Sequence, residues 1–452
     1  SKEDAIHSAI QDVTDLHRNR LELLAKDARP KVGWVSVQTP EEILLAAGVV
    51  PFRLSGEAGI TTTDAGARLR SAVESPKSRP QAPAVATRLA YPSTSMRAVI
   101  AGGGTGGHVI PALAIARELR ERLAAQVLFV GTARGLENRL VPAAGFELRL
   151  IEVGALNRVS LATKLRTMTA LPRAILASSH ILEQYRPDVV VGVGGYASGP
   201  AMLAASLRSL PTLVFEPNVV PGFANRVVAP MVTMAAVHFE QTARYFRRAM
   251  VTGVPVRREF FLAPPYSPSS HPPTLLVFGG SQGASTLNRV MVESLAALQQ
   301  QIPGLHIIHQ TGERDYNDAQ GAYLRAGISA EVYPFIDDMP GVFARADVLV
   351  CRSGASTVAE VTAAGRPAVF VPFPKAADDH QLRNAEALAG AGAAELIVEA
   401  ELSSERLVQT LRTLLSDRVR LARMAEAARR LAHPRAAQEI AELAARLAGV
   451  AA

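Results

Sequence analysis

The chain has one cysteine, Cys351, among 452 residues. An intramolecular disulfide and a cysteine-built metal or iron–sulfur site are thereby excluded, and a reducing compartment is expected. Aromatic residues make up only 5% of the chain. They are not interleaved with the scattered lysines and arginines, so the stacking platforms of a nucleic-acid binder are missing. No apolar run reaches the roughly 18–20 residues that span a bilayer. The start, Ser1-Lys2-Glu3-Asp4, has no apolar core and does not read as a secretory signal. No Asp-x-Asp occurs, so a metal clamp on a nucleotide diphosphate has no evident ligands, and no metal or other cofactor is expected.

What is present points to a multidomain chain with an anionic partner. A hydrophobic fraction of 48% over this length supports two or three cores. A net charge of +7 favours phosphorylated substrates or an anionic membrane surface, although an arginine-rich surface alone would give the same balance. Residues 1–70 read as an appendage: a charged helix to about Lys26, a strand at Val32–Val37 and a helix around Glu41–Ala47. Residues 71–95, with Pro76, Pro80, Pro83 and Pro92, read as a flexible linker.

The pattern changes at Met96. Short apolar runs then alternate with amphipathic stretches: Ala98–Ala101, Gln126–Val130, Val189–Val193 and Thr212–Phe215, then Thr274–Phe278, His306–Gln310, Val348–Cys351 and Ala368–Val371. Helical patterns such as Ala112–Leu123 and Ser356–Ala364 lie between them. Such alternation predicts parallel sheets with helices on both faces. A break at Gly253-Val254-Pro255 predicts two Rossmann-like α/β domains, 96–253 and 254–434, facing across a cleft. Residues 435–452 read as a helix that packs back on the first domain.

Each half opens with a glycine loop between strand and helix. Gly102, Gly104 and Gly107 satisfy G-x-G-x-x-G, and Pro111 sits near the expected helix start, where its missing N–H costs little. Glycines let the backbone approach a ligand, and a helix N-terminus attracts anions. A dinucleotide site also needs an acid at the end of the next strand, but Val127–Val130 ends in Gly131-Thr132. A tight turn serving packing alone would carry the same glycines. The device recurs at Gly279-Gly280-Ser281-Gln282-Gly283-Ala284, and two such loops weigh more than one. A third loop runs from Cys351 through Ser353, Gly354, Ser356 and Thr357 to Glu360. That carboxylate suits the two hydroxyls of a ribose, or simply the positive end of its helix. Leaving-group charge would fall to helix N-termini, backbone N–H groups, Ser281 and Arg257.

Seven ordered motifs then carry a resemblance across Met96–Ala452. They are Gly103-Gly104-Thr105-Gly106-Gly107-His108, Gly194-Gly195-Tyr196-Ala197-Ser198-Gly199-Pro200, Glu216-Pro217-Asn218, Gly279 to Ala284, Phe335-Ile336-Asp337-Asp338-Met339, Cys351-Arg352-Ser353-Gly354-Ala355 and Asp379-His380-Gln381. Together they resemble the bacterial UDP-N-acetylglucosamine–N-acetylmuramyl-(pentapeptide) pyrophosphoryl-undecaprenol N-acetylglucosamine transferases. The resemblance implies a GT-B fold and inverting transfer of N-acetylglucosamine to the C4 hydroxyl of lipid I, giving lipid II for peptidoglycan. It implies a peripheral protein on the cytoplasmic face of the inner membrane, with cell-wall synthesis proteins as partners. It also implies that Ile336 contacts uracil, Glu360 the ribose, and Ser281 and Arg257 the diphosphate. Ala355, Ser356, Thr357, Val358, Ala359 and Glu360 would line the nucleotide. Asn218 and Gln381 would address the sugar, with Thr105, Gly106 and Gly107 closing over it. Phe215 and Pro217 stand where a His and a Gln are familiar in that family.

An inverting displacement needs a base on the acceptor hydroxyl and stabilisation of the departing diphosphate. His108 is the leading base, the alternative being a histidine that bonds loop backbone or a lipid phosphate. Glu216 is the rival base or an orienting carboxylate. Ala155–Leu176, with Leu156, Leu161, Leu165, Met168 and Leu171 beside Arg158, Lys164, Arg166 and Arg173, reads as a membrane-facing helix or as an ordinary packed one. Two rival activities stay open: a UDP-N-acetylglucosamine 2-epimerase and a non-catalytic UDP-sugar binder. Residues 1–65, through Pro40–Leu54, resemble the N-terminus of 2-hydroxyacyl-CoA dehydratase and benzoyl-CoA reductase subunits without their cysteines. That segment reads as a gene remnant, and deleting 1–95 is expected to leave activity unchanged.

Overall fold

The computed structural model describes residues 95–153, 161–267, 272–280 and 283–450, with backbone alone over 161–170. The expectations for residues 1–94 lie outside the described residues, as do Ser281 and the stretch 154–160 of the expected membrane-facing segment.

Two parallel sheets form the frame. The first is ordered β3-β2-β1-β4-β5-β6-β7, with β1 Arg97–Ala101, β2 Gln126–Gly131, β3 Glu147–Leu150, β4 Val189–Gly192, β5 Thr212–Glu216, β6 Met234–Val237 and β7 Ala249–Val251. The second is ordered β10-β9-β8-β11-β12-β13, with β8 Thr274–Phe278, β9 His306–Gln310, β10 Ala330–Tyr333, β11 Val348–Cys351, β12 Ala368–Phe370 and β13 Ala394–Leu396. Central strands such as Val189-Val190-Val191 and Val348-Leu349-Val350 are buried on both faces, which explains their unbroken apolar runs.

In each sheet the chain reverses direction across the strand order, at β1/β4 and at β8/β11. Ligands of open parallel sheets bind beyond the carboxyl ends of strands at such switch points. Both glycine loops leave from there, the first after β1 and the second after β8. The loops Val193–Ala197 and Arg352–Gly354 follow β4 and β11 at the same two points.

Two details of the sequence reading are corrected. The helix expected at Ala112 spans Gly106–Leu123, so Pro111 lies in its second turn and not at its start. There its missing N–H removes one bond of the helix ladder. Strands β3, β6, β7, β10 and β13 went unread. They are three or four residues long, and all but β10 carry at most one residue of strong strand preference.

The final helix, Ala436–Leu447, belongs with the first sheet rather than the second. Ile440, Ala441, Leu443 and Ala444 are buried in one cluster with Ile115 and Leu119 of the helix Gly106–Leu123. The outward crossing at Gly253 lies against the return crossing at His433. Gly253 has φ +78°, and a Cβ there would collide with the His433 ring.

Candidate active site

The first glycine loop is packed against its neighbour loop. Gly103 N–H donates to the Gly194 carbonyl at 3.3 Å. Gly195 has φ +83°, and a Cβ on it would strike the Gly103 carbonyl, so both left-handed backbone and close approach require glycine there. Thr105 caps the helix Gly106–Leu123 in extended conformation without a side-chain bond to it. Thr105 and Gly107 are exposed and Gly106 half-buried, so the first N–H groups of an 18-residue helix face the cleft.

His108 sits on that first turn with its ring against Gly194. Its Nδ1 is buried without an aligned hydrogen bond among the described residues. Burial lowers its pKa from 6.5; the nearby Val193 carbonyl opposes this, His380 across the cleft lowers it further, and Glu137 raises it. A neutral imidazole at pH 7 results, which is the form able to accept a proton.

Glu216 ends β5 in a fully enclosed position. Its carboxylate accepts from Asn218 N–H at 2.9 Å, Asn218 Nδ2 at 3.1 Å, Gly222 N–H at 3.0 Å and Asn225 Nδ2 at 2.8 Å. Burial raises its pKa while these four bonds pull it down. A carboxylate so occupied orders the loop 216–222. The Asn218 amide is also engaged: its Oδ1 accepts from Asn384 Nδ2 at 3.1 Å, and Asn384 Oδ1 accepts from Val219 N–H at 3.0 Å. Asn384 is fully buried and also donates to the Ser353 carbonyl at 3.2 Å, so it joins the two halves beneath the cleft. Sequence reading missed it, since an asparagine inside a helix carries no signal.

On the second half, Gln310 links two expected site elements. Its Nε2 donates to the Gly280 carbonyl at 3.0 Å, and its Oε1 accepts from Ile336 N–H at 3.0 Å. The second glycine loop and the Phe335–Ile336 loop are thus held by one buried side chain, again unread in the sequence. Gly279, Gly283 and Ala284, with Arg352, Phe373 and Gln381, border a cleft of about 640 Å³. Arg352 is buried by the Val371 and Pro372 carbonyls and an ion pair with Glu399, and its guanidinium lies 5.4 Å from the Phe373 ring centre. Gln381 accepts from Phe373 N–H at 3.0 Å, leaving its NH2 group for a ligand.

The helix Ala355–Ala364 begins after Gly354 with no side-chain cap. Ala355, Ser356 and Thr357 are half-buried at its open end, whereas the side chains of Val358 and Ala359 face the core. Those two therefore have their backbone, not their side chains, to offer a nucleotide. Glu360 takes no hydrogen bond from any described residue. Burial pushes its pKa up to about 7, with Arg257 pulling the other way. Arg257 is exposed beside it, its guanidinium 5.2 Å from the Phe260 ring centre.

Asp378 and Asp379 both adopt left-handed backbone, φ 52° and 50°, immediately before the helix His380–Gly390. Two successive non-glycine residues there store strain. The turn sets His380 toward His108 and lets Asp378 pair with Arg226 of the first half at 2.9 Å. Among the described residues, no three His, Cys, Asp or Glu side chains form a group able to hold a metal ion. Of the expected site residues, Gln381 lines the cleft of the second half, while Asn218 reaches that half through Asn384 and His108 lies within electrostatic range of His380.

Comparison with known proteins agrees with this geometry. The glycosyltransferase family 28 N-terminal domain matches residues 98–237, and the family 28 C-terminal domain matches residues 274–440. A UDP-N-acetylglucosamine–N-acetylmuramyl-(pentapeptide) pyrophosphoryl-undecaprenol N-acetylglucosamine transferase of Solibacter usitatus is 46% identical over 354 residues, covering 78% of this chain and 96% of that protein. A protein of the same name from Anaeromyxobacter sp. (strain Fw109-5) is 47% identical over 359 residues, covering 78% and 93%. The crystal structure of Acinetobacter baumannii MurG superposes with a TM-score of 0.67 at 34% identity, covering 78% of this chain and 99% of that one.

Proposed function

The chain belongs to the family of UDP-N-acetylglucosamine–N-acetylmuramyl-(pentapeptide) pyrophosphoryl-undecaprenol N-acetylglucosamine transferases, and from that premise we propose how its residues carry the transfer. It is a hexosyltransferase that uses UDP-N-acetylglucosamine and an undecaprenol-linked muramyl-pentapeptide acceptor. The acceptor hydroxyl is the C4 hydroxyl of the muramyl sugar, and the anomeric centre inverts. The oxygen attacks C1 as the C1–O bond to UDP breaks, and the hydroxyl proton passes to a base.

His108 is that base. The observation that carries the assignment is its placement: a neutral imidazole on the first turn of an uncapped helix, within electrostatic range of His380 on the other half. Glu216 takes the orienting role, because its oxygens are already filled by its own loop. On the donor side, Glu360 receives the ribose hydroxyls and the Ile336 backbone the uracil. Arg257, Ser281 and the helix start at Ala355, Ser356 and Thr357 take the diphosphate charge as it develops. Gln381 and the free amide hydrogen of Asn218 address the sugar. Thr105, Gly106 and Gly107 close over it from the other half.

The acceptor's lipid places the protein at an anionic membrane surface, on its cytoplasmic face. Supporting this, Ile110 and Leu136 are 57% and 40% exposed beside the first glycine loop, and Leu176 is 69% exposed near Arg173. No described helix is long and apolar enough to cross a membrane. Flotation with vesicles containing anionic lipid should carry the protein up the gradient, and neutral vesicles should not; equal partition would contradict the surface. The transfer chemistry is tested by NMR of the disaccharide product, where a β-1,4 linkage is expected and an α linkage overturns the direct displacement.

A further inference from the structure

Glu137, at the start of the short helix Glu137–Ala143, is fully buried beneath the first glycine loop. Its carboxylate accepts from Gly104 N–H at 2.7 Å, from Thr132 N–H at 2.9 Å and from the Thr132 hydroxyl at 3.0 Å. Glycines from three segments close around it. A Cβ on Gly103 or Gly135 would collide with the carboxylate, and one on Gly131 with its Cγ. Gly104 is held in both directions, because its carbonyl accepts from Leu136 N–H at 3.1 Å.

Loop geometry needs such a hold. Gly103 and Gly104 have φ +155° and +96°, which glycine permits but does not enforce. Without an external anchor the segment would sample many conformations, and a site that orders itself at each turnover loses rate. Gly104 directly precedes Thr105, and Thr105 opens the helix carrying Gly106, Gly107 and His108. The same carboxylate lies close enough to His108 to favour its protonated form against burial.

We propose that Glu137 is a positioning residue for transfer, fixing Gly104 and thereby the helix start that carries His108, while the uridine and diphosphate contacts on the other half are independent of it. The inference rests on the transferase reading above. It also explains why the chain carries an acid after β2 without using it on a ribose: the acid serves the loop instead.

The test uses the full chain with Glu137→Gln, which keeps the shape but turns an N–H2 toward donors that need an acceptor. With UDP-N-acetylglucosamine and a lipid I analogue, kcat should fall about 10- to 100-fold, the range a misplaced reacting group produces. UDP affinity, read by calorimetry, should stay within about twofold of the unsubstituted chain, because the proposed nucleotide contacts lie on the other half. The acid limb of the kcat profile should move to lower pH, since His108 loses an anionic neighbour. Gly135→Ala, outside the loop, pushes the same carboxylate aside and should reproduce the kcat loss with Glu137 present. Hydrogen exchange at Gly104–His108 should quicken in both variants. An unchanged kcat overturns the proposal, as does a kcat loss matched by an equal loss of UDP affinity, which a merely structural role would give. If the unsubstituted chain fails to transfer at all, the transferase reading is what fails. Exchange at the loop then still decides the anchoring: unaltered exchange overturns it. Should Glu137→Gln not fold, Gly135→Ala and Thr132→Val carry the same comparison.

Discussion

At the scale of the residue, the proposed chemistry turns on two side chains. His108→Ala should lower kcat about 10²- to 10⁴-fold, the span of general-base contributions, and leave UDP-N-acetylglucosamine binding nearly intact. Stopped-time transfer assays with calorimetry separate the two, and unaltered turnover would remove His108 as base. Because burial lowers its pKa, the acid limb of kcat should fall below 6.5 rather than above it. Glu360 titrates in the opposite sense, since burial raises it to about 7. Its ionised form accepts ribose hydroxyls, so donor affinity should rise from pH 6 to pH 8, and Glu360→Gln should flatten that rise. The folded state holds this proton more tightly than the unfolded chain does. The associated stability is present below about pH 4.5 and is lost as pH rises through about 7. Glu360→Gln should therefore raise Tm at pH 8 more than at pH 4; equal shifts would contradict the linkage. His108, Glu360 and Ile336 were singled out in the sequence because motif and loop chemistry coincide at them. Glu137, Gln310 and Asn384 were not. Their work is done through backbone groups far away in sequence, and nothing local marks a residue that bonds across 33 or 166 positions.

At the scale of the element, the strong strands were readable because burial on both faces writes a continuous apolar run, as in β4 and β11. Edge strands such as β3, Glu147-Leu148-Arg149-Leu150, carry half that signal and went unread. The first helix was placed six residues late because Gly106 and Gly107 are poor helix formers, and Pro111 looked like a start signal. The glycines are there so that helix N–H groups can meet an anion, a local rule overridden at a functional end. The closing helix has the opposite character: its apolar positions recur at helical spacing and are buried. Ile440→Ala removes a fully buried side chain from the cluster containing Ile115 and Leu119, and should cost about 2–5 kcal/mol. Thermal unfolding measures it. A change below about 0.5 kcal/mol would show that the helix is not docked there, because only surface substitutions are that mild.

At the scale of the whole molecule, two sheets each present a switch point with a glycine loop beside it. Asn384 and the pair Arg226–Asp378 tie the halves together at their seam. The ion pair is about one-third exposed on each side, so its stability contribution is small, about 0–1 kcal/mol. Its use lies in geometry. Asp378→Ala should shift Tm little yet lower kcat/KM, because the strained turn presenting His380 and Gln381 loses its partner; equal kinetics would contradict this. The architecture was readable in advance from duplicated glycine loops, whereas the seam was not, since it exists only once both halves are folded. The central claim, transfer rather than epimerisation or binding alone, meets its most direct test in one incubation. Purified chain is mixed with UDP-N-acetylglucosamine and a lipid I analogue, and the products are separated. UDP and a disaccharide-bearing lipid in equal amounts are expected. UDP-N-acetylmannosamine, or bound donor with no UDP released, would contradict it.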